Sequence, residues 1–399
     1  MATDTQARNR RFSAVKREGE RVTPLELFFD LVFVLAITQC TALMSENPTW
    51  SGLIQGLLVL GVLWWAWAAY AWLTSVVDPE EGAVRFAMFA AMAGFLIAAL
   101  ATPQAFGDLA LPFALAYGAV RVAHIALFVL ASRDDPGLRH SVAGLAVSSA
   151  IGVGLLIGAS FLNGLPQGAL WLLALTLDMA GPLFFIDAAG WRLEPGHFAE
   201  RHGLIIIIAL GESIVAIGVG AHAHLTWGIA AAAVLGVAIS AALWWMYFDI
   251  VALVSRRRLI NAPEGLVRNT LARDSYSYIH LLMVAGIVLA ALGLKTTLGH
   301  VDDPLHTIPA FALLGGVATY LLGLVAFRIR HVHTINRQRL GMAVLLIALL
   351  PLATHIPALI TLMLVTVLLA AVIAYETKIY GEGRGRVRHE DYLPEPHSG

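Results

Sequence analysis

Twelve long apolar segments, each followed by a short polar stretch, are the feature that most constrains this chain. They cover approximately residues 24–44, 51–77, 84–102, 111–131, 141–162, 168–189, 204–221, 227–253, 278–298, 308–327, 340–356 and 358–376. A helix needs about 20 apolar residues to cross a bilayer, and the segments lack the alternation of a membrane β-barrel. Only 13% of the residues are charged, against roughly 25% in soluble domains. The sequence therefore predicts an all-α, polytopic transmembrane helix bundle, and it excludes a water-soluble enzyme and a nucleic-acid-binding protein.

The distribution of basic residues predicts the orientation of these helices. With the N-terminus in the cytoplasm, all but two of the 26 Lys and Arg residues fall in segments on the inner side. The two exceptions are Arg121, within the fourth apolar segment, and Lys295, near the outer end of the ninth. Cytoplasmic loops carry an excess of Lys and Arg. We therefore expect 12 spans with both termini in the cytoplasm.

The two halves of the chain resemble each other. Leu63-Trp64-Trp65 corresponds to Leu243-Trp244-Trp245, and other short matches follow in the same order along the chain. An even number of spans in each half favours a parallel 6+6 repeat, which is common in transporters. The expected organisation is an N-terminal tail (1–23), a six-helix repeat (24–189), a cytoplasmic linker (190–203), a second repeat (204–376) and a C-terminal tail (377–399).

Ionisable residues inside the apolar segments are the main indication of function. Each is unfavourable by about 2.5–3.5 kcal/mol at a helix centre, so the bilayer alone does not explain it. Arg121, Asp178 and Glu212 lie near the middle of their segments, whereas the others lie toward the inner ends. The candidate substrate- or ion-binding residues are Glu26, Asp30, Arg121, Asp178, Glu212 and Asp249.

Two structural interpretations of these residues stay open. Arg121 is expected to face the bundle interior and to pair with one or more of Asp178, Glu212 and Asp30, because an unpaired buried charge is very unfavourable. Such a pair either serves a pathway or is a static lock between helices. Glu26, Asp30 and Asp249 have the further alternative of reaching the membrane interface.

The tryptophans at depth form a second group. Trp64, Trp65, Trp67, Trp244 and Trp245 lie too far from the predicted helix ends for an interfacial belt. Their indole N–H groups need hydrogen-bond partners if they are buried. They either wall a pathway or form a packed core.

Sequence signatures of catalysis and metal binding are absent. The sequence has no Gly-rich phosphate loop, no nucleophile elbow and no His-Glu-x-x-His run. Two predicted outer loops could meet around a divalent cation, but the spacing of their residues matches no strong metal-ligand signature; these residues are His222, His224, His300, Asp302, Asp303 and His306. We therefore expect no enzyme, no cofactor and no metal site.

Several motifs resemble those of the bacterial low temperature requirement A family. The run Thr23-Pro24-Leu25-Glu26-Leu27-Phe28-Phe29-Asp30 carries the most specific likeness. Glu200-Arg201-His202-Gly203, Leu210-Gly211-Glu212-Ser213, Trp244-Trp245-Met246-Tyr247-Phe248-Asp249 and Tyr278-Ile279-His280 add to it. The resemblance covers approximately residues 21–376 and implies a multi-pass protein of the bacterial inner membrane.

The first helix is also similar to that of the potassium-channel family of lysosomes and bacteria. That family carries an Arg-x-Glu-x-Phe-Ser-Asp motif, and here Glu26, Phe28 and Asp30 match it, while Pro24 and Phe29 replace its arginine and serine. The animal members of that family have two six-helix repeats, as predicted here.

These observations favour a transporter or channel for a small solute or ion, with a cation or proton bound by the buried carboxylates. The alternative is a non-transporting membrane scaffold or lipid-binding factor of cold adaptation. In either case the expected partners are the lipid bilayer and a second copy of the chain, and no nucleic acid.

Overall fold

The computed structural model describes residues 21–80, 82–133, 135–184, 191–220 and 226–390. Within these ranges the chain is helical and contains no β-strand. Most of the two predicted tails (1–20 and 391–399), part of the predicted inner linker, and the predicted outer-face residues His222 and His224 lie outside the described residues.

The described chain folds into sixteen α-helices, with one 3₁₀ turn at Thr102–Gln104 and two π-helical turns at Arg273–Ile279 and Phe311–Gly315. The α-helices are α1 (Pro24–Glu46), α2 (Trp50–Thr74), α3 (Gly82–Ala101), α4 (Ala110–Ala131), α5 (Pro136–Ala159), α6 (Gly164–Phe184), α7 (Pro195–Gly220), α8 (Trp227–Phe248), α9 (Val251–Ile260), α10 (Leu266–Ala272), α11 (His280–Gly299), α12 (Thr307–Ala310), α13 (Gly316–Val332), α14 (Arg337–Ala348), α15 (Leu350–Ala353) and α16 (Ala358–Glu390).

Eleven helical stretches in the described residues are long and apolar enough to cross a membrane. The prediction of an all-α, multi-pass membrane architecture is confirmed. The predicted span 340–356 is not among the eleven. There the helix is interrupted, since α14 ends at Ala348 and the short α15 carries Pro351 in its first turn. Proline lacks the backbone N–H that would continue a helix.

Helix α1 begins at a capping box. The Thr23 side chain accepts a hydrogen bond from the backbone N–H of Glu26 (3.3 Å), and the Glu26 carboxylate accepts one from the backbone N–H of Thr23 (2.9 Å). Two of the donors that a helix start leaves without partners are thereby satisfied. This local arrangement fixes where Glu26 stands.

Contacts divide the chain into two compact units. The first joins the chain up to Ile205 with Ala262–Leu281, and the second joins Ile206–Asn261 with the chain from Leu282 onward. In the first unit, the largest contacts are made by α6 with α5 and by α4 with α3. In the second, α13 contacts α14 and α16 contacts α8. The predicted six-helix repeats and their boundaries stay predictions.

Two helices of the second unit approach each other closely at glycines. A Cβ atom at Gly286 would lie 2.5 Å from the backbone nitrogen of Tyr320, and one at Gly316 would lie 2.5 Å from that of Ala290. Small residues permit such close backbone approach between membrane helices. The absence of a side chain at these two positions therefore sets the distance between α11 and α13.

Helix α16 is tied to preceding segments at its N-terminal end and near its middle. The backbone N–H groups of Ala358 and Leu359 donate to the carbonyls of Asp303 (2.9 Å) and Val301 (3.0 Å). Near the middle of the helix, the Glu376 carboxylate accepts a hydrogen bond from the side chain of Asn336 (2.8 Å). The α14–α15 segment, which joins residue 336 to residue 357, therefore runs antiparallel along α16.

Candidate functional site

Four buried ionisable side chains meet in the first unit, where the start of α1 faces the start of α7. We call Glu26, Asp30, His197 and Arg201 the α1–α7 cluster. Glu26 and Asp30 are four residues apart on α1, and His197 and Arg201 are four apart on α7. This spacing places each pair on one helix face. All four side chains are 0% exposed.

Direct contacts join the two pairs. The N–H at Nε2 of His197 donates to Oε1 of Glu26 at 2.9 Å, and Nη1 of Arg201 lies 3.4 Å from the same oxygen. Nη2 of Arg201 donates to Oδ1 of Asp30. Arg201 therefore bridges both carboxylates, and His197 contacts one of them.

Neighbours on α2 complete this environment. Nη1 of Arg201 donates to the Thr74 hydroxyl (2.9 Å), and the guanidinium lies 5.5 Å from the centre of the Trp67 ring. The Trp67 indole N–H donates to Oδ1 of Asp30 at 2.8 Å. Charge-assisted hydrogen bonds and a cation–π contact are among the stronger polar interactions available to a buried guanidinium. The α1–α7 cluster is thus held by three helices of the first unit.

A second buried ion pair lies between α4 and α6 of the same unit. Nη2 of Arg121 donates to Oδ1 of Asp178 at 3.0 Å and also to the Ser149 hydroxyl. The Tyr117 hydroxyl donates to Oδ2 of Asp178 at 3.1 Å. Of the three partners considered for Arg121, Asp178 is therefore the one in contact, whereas Asp30 contacts Arg201. Nε and Nη1 of Arg121 are buried without a hydrogen-bond partner among the described protein atoms.

Glu212 and Asp249 belong to the second unit. Glu212 lies on α7 and Asp249 caps the C-terminal end of α8, and both side chains are buried. The second unit also holds an ion pair that was not predicted, between Arg339 on α14 and Glu376 on α16. Their atoms Nη2 and Oε2 are 2.9 Å apart, and Nη1 of Arg339 donates to the carbonyl of Met246 at 3.0 Å.

Two residues of the α1–α7 cluster, His197 and Arg201, were not predicted from the sequence as site residues. The hydropathy pattern places the start of the seventh span at residue 204 and leaves both residues in the predicted linker (190–203). In the structure α7 begins at Pro195, so both residues are helical and buried. The available signal was the four-residue spacing of His197 and Arg201, which matches that of Glu26 and Asp30.

The tryptophans divide into two groups. Trp64 donates to the carbonyl of Ser277 (2.8 Å), and Trp67 donates to Asp30, as the requirement for buried indole partners predicts. Trp65 is also buried, but its indole Nε1 has no hydrogen-bond partner among the described protein atoms. Trp244 and Trp245, in contrast, are 44% and 39% exposed on the protein surface. The prediction that these two tryptophans belong to a packed core is therefore wrong, because they face outward from α8.

The described residues contain no group of three or more His, Cys, Asp or Glu side chains that could hold a metal ion. The arrangement consists instead of ion pairs and hydrogen bonds between helices. Such side chains can bind, exchange or release a proton or a small cation, and they can also fix how helices pack.

Comparisons with known proteins agree with this architecture. The family model described as bacterial low temperature requirement A protein (LtrA) matches residues 21–374. An uncharacterized protein of Rhizobium meliloti (strain 1021), RA0937, is 31% identical over 315 residues, which are 75% of each chain. No solved structure matches. Since the family model covers nearly all of the helical region and the first-helix motif lies within it, the chain belongs to the bacterial low temperature requirement A family.

Proposed function

We propose that this protein is a transporter or channel of the bacterial inner membrane that moves a proton or a small cation, and that it is not an enzyme. The observation that carries the proposal is the composition of the α1–α7 cluster. Two carboxylates, one guanidinium and one imidazole lie in mutual contact, with no exposure of any of the four side chains.

The charge of these four groups depends on one proton. With His197 neutral, the two carboxylates outnumber the guanidinium by one charge. A proton taken up by the Glu26–His197 contact, whose atoms are 2.9 Å apart, makes the four groups neutral. An uncompensated buried charge is unfavourable, and histidine is the side chain whose ordinary titration range is nearest neutral pH. A group of this composition is suited to bind and release a proton.

In this proposal Arg121 and Asp178 form a second polar binding site in the same unit. The two Arg121 nitrogens that lack protein partners need an acceptor, because buried polar groups are nearly always hydrogen-bonded. Water or a passing solute supplies it. Glu212 and Asp249 are the corresponding candidates of the second unit, and we assign them ion or substrate binding on the basis of their burial.

We further propose 12 crossings with both termini in the cytoplasm. The antiparallel course of α14–α15 along α16 supports a crossing that the span count does not include. Arg337–Ala353 has 17 residues and extends about 25 Å at 1.5 Å per residue, which is close to the hydrocarbon thickness of about 30 Å. With this crossing, Arg337 and Lys378 lie on the same side, as the positive-inside rule requires.

The test is flux in proteoliposomes that contain the full chain and a trapped pH indicator, under imposed proton and potassium gradients. Glu26→Gln removes the charge but keeps a side chain that forms a capping box with Thr23, so the start of α1 is retained. We expect it to lower the flux at least about tenfold, the effect of removing about 1.4 kcal/mol of stabilisation. Glu212→Gln tests the second unit in the same assay.

Asp108→Asn is the matched control, since Asp108 is an exposed carboxylate in the loop before α4. It is expected to leave the flux unchanged. Absence of flux under every gradient contradicts the proposal. Equal flux in the wild type and in Glu26→Gln contradicts the role of the α1–α7 cluster.

The second candidate is a non-transporting membrane scaffold or lipid-binding factor. The complete burial of the α1–α7 cluster favours it, because a static lock between helices needs no access to either side. The scaffold function predicts that Glu26→Gln changes the stability of the protein but leaves the ion flux of the proteoliposomes unchanged. The same preparations therefore separate the two functions.

A further inference from the structure

Trp67 of α2 lies where the three helices that hold the α1–α7 cluster meet. Its side chain is 0% exposed. Three neighbouring rings hold it, since the ring centres of Trp64, His202 and Phe33 lie 5.0, 5.1 and 6.0 Å from its own. A tryptophan side chain has only two rotatable bonds, so these contacts fix the direction of its indole N–H.

The indole N–H of Trp67 is bonded to a titratable group. It donates to Oδ1 of Asp30 at 2.8 Å, and the same oxygen accepts a hydrogen bond from Nη2 of Arg201. The Trp67 ring also lies 5.5 Å from the Arg201 guanidinium. Trp67 therefore contacts both members of an ion pair that joins α1 to α7.

The indole and the guanidinium act differently on this carboxylate. Both groups can only donate hydrogen bonds, but the indole carries no charge and therefore leaves the charge balance of the cluster unchanged. A hydrogen bond to an ionised group is roughly twice as strong as one between neutral groups. The Trp67 N–H therefore stabilises the charged form of Asp30 more than the protonated form.

The other charged and titratable groups around this contact come from α1 and α7. Glu26 lies one helical turn before Asp30 on α1, and both Arg201 and His197 of α7 contact the Glu26 carboxylate. The two carboxylates thus share one guanidinium, and they compete for any proton that the cluster binds. A donor that is fixed on Asp30 directs that proton toward Glu26 and His197.

We propose that Trp67 is a positioning residue of the proton site, whose N–H holds Asp30 as the carboxylate and thereby sets the pH at which transport is half-maximal. The proton then binds at the Glu26–His197 contact rather than at Asp30. This inference rests on the proposed function and specifies it, because it makes the proton the ion that the α1–α7 cluster binds. Trp67 itself binds no ion and keeps its charge of zero throughout.

The first test is the pH profile of proton flux in proteoliposomes that contain the full chain. Trp67→Phe removes the indole N–H but keeps an aromatic ring beside Arg201. We expect the pH of half-maximal flux to move about 0.5–1 unit higher, because the hydrogen bond that favours the Asp30 carboxylate is lost and the site holds its proton more strongly.

Trp64→Phe is the matched control. It is the same change on the same helix, at a position that is also 0% exposed, and the Trp64 ring also lies near His202, with 6.2 Å between ring centres. Its indole N–H donates at 2.8 Å, as that of Trp67 does, but to the backbone carbonyl of Ser277, which does not titrate. This variant is expected to leave the pH of half-maximal flux unchanged.

The second test is carboxyl NMR, which needs neither flux nor a change at Trp67. In the full chain with isotope-labelled aspartate and histidine, the Asp30 carboxyl signal is the one that Asp30→Asn removes, and the His197 ring signal is the one that His197→Gln removes. In the wild type, the Asp30 signal is expected to stay at the carboxylate position over the pH range in which the His197 signal moves. This measurement decides the question even if Trp67→Phe fails to fold.

Two results overturn the inference. The first is a Trp67→Phe variant whose half-maximal flux moves no further to higher pH than that of Trp64→Phe. The second is an Asp30 carboxyl signal that titrates before the His197 signal or together with it in the wild type. Either result leaves the proposed transport function standing, whereas absence of flux in the wild type contradicts that function and leaves the carboxyl measurement to decide the role of Trp67.

Discussion

The buried pair of Arg121 and Asp178 allows a quantitative test of how charges stabilise this bundle. We consider three variants: Arg121→Met, Asp178→Leu and the two together. Each single variant leaves one buried charge without its partner, whereas the double variant removes both charges and fills similar volume with apolar side chains. Arg121 and Asp178 are only 1% and 3% exposed. Water therefore screens little of the charge that remains in each single variant.

The expected free energies follow from this geometry. Removal of one partner of a buried, hydrogen-bonded pair lowers the free energy of unfolding by about 3–5 kcal/mol. Replacement of both by apolar residues is nearly neutral, within about 1 kcal/mol. The two single changes, if additive, would lower it by at least about 6 kcal/mol. We therefore expect the double variant to be more stable than either single variant.

Equilibrium unfolding in mixed detergent micelles, followed by circular dichroism, measures these differences. Tyr117→Phe is the control, since it removes a hydrogen bond to Asp178 but no charge, and it should lower the free energy of unfolding by about 1.5–3 kcal/mol, less than the loss of either charge. If the double variant loses as much stability as the sum of the single variants, the two charges do not stabilise each other. A double variant that is stable but inactive in the flux assay would show that the pair serves transport as well as packing.

Two further predictions concern helix packing and topology. Gly286→Ala should lower the free energy of unfolding by about 1–3 kcal/mol, because the new Cβ would overlap the backbone of the facing helix. Gly341→Ala is the control, since it lies on an open helix face, and it should be neutral or stabilising by up to about 1 kcal/mol. Equal effects of the two variants in a thermal-unfolding assay would contradict the close contact. The native Cys40 is buried and should give little background labelling. In intact spheroplasts, Asp302→Cys should react with a membrane-impermeant maleimide added outside, and Thr334→Cys should not. Labelling of both variants, or of Thr334→Cys alone, would refute the proposed topology.

Hydropathy alone was sufficient to predict most of the helices. Apolar runs of about 20 residues have few alternatives to a membrane helix, and every predicted segment except 340–356 has a counterpart among the eleven long helices. The exception contains Pro351 and is bounded by Pro357. A hydropathy average does not register the loss of a backbone donor, so the interruption of the helix there was not predicted.

The candidate site was predicted less completely, because hydropathy treats polar residues near a helix end as loop. Glu26 and Asp30 were identified as they follow a clear start at Pro24. His197 and Arg201 fall where the average hydropathy is low, and so their helix was predicted to begin too late. The sequence limited the partner of Arg121 to three carboxylates, those of Asp178, Glu212 and Asp30. It did not identify which of them contacts Arg121, because that depends on how α4 packs against α6.

The long sequence separation within the α1–α7 cluster has a consequence for biogenesis. Glu26 and Arg201 are 175 residues apart in the chain. At a synthesis rate of roughly 5–20 residues per second, Arg201 is added to the chain about 9–35 s after Glu26. During that interval the first helix carries two carboxylates at the membrane before their guanidinium partner exists. We therefore expect α1 to reach its final packing only after α7 is inserted, so that the pairing of the two helices is a late step of assembly.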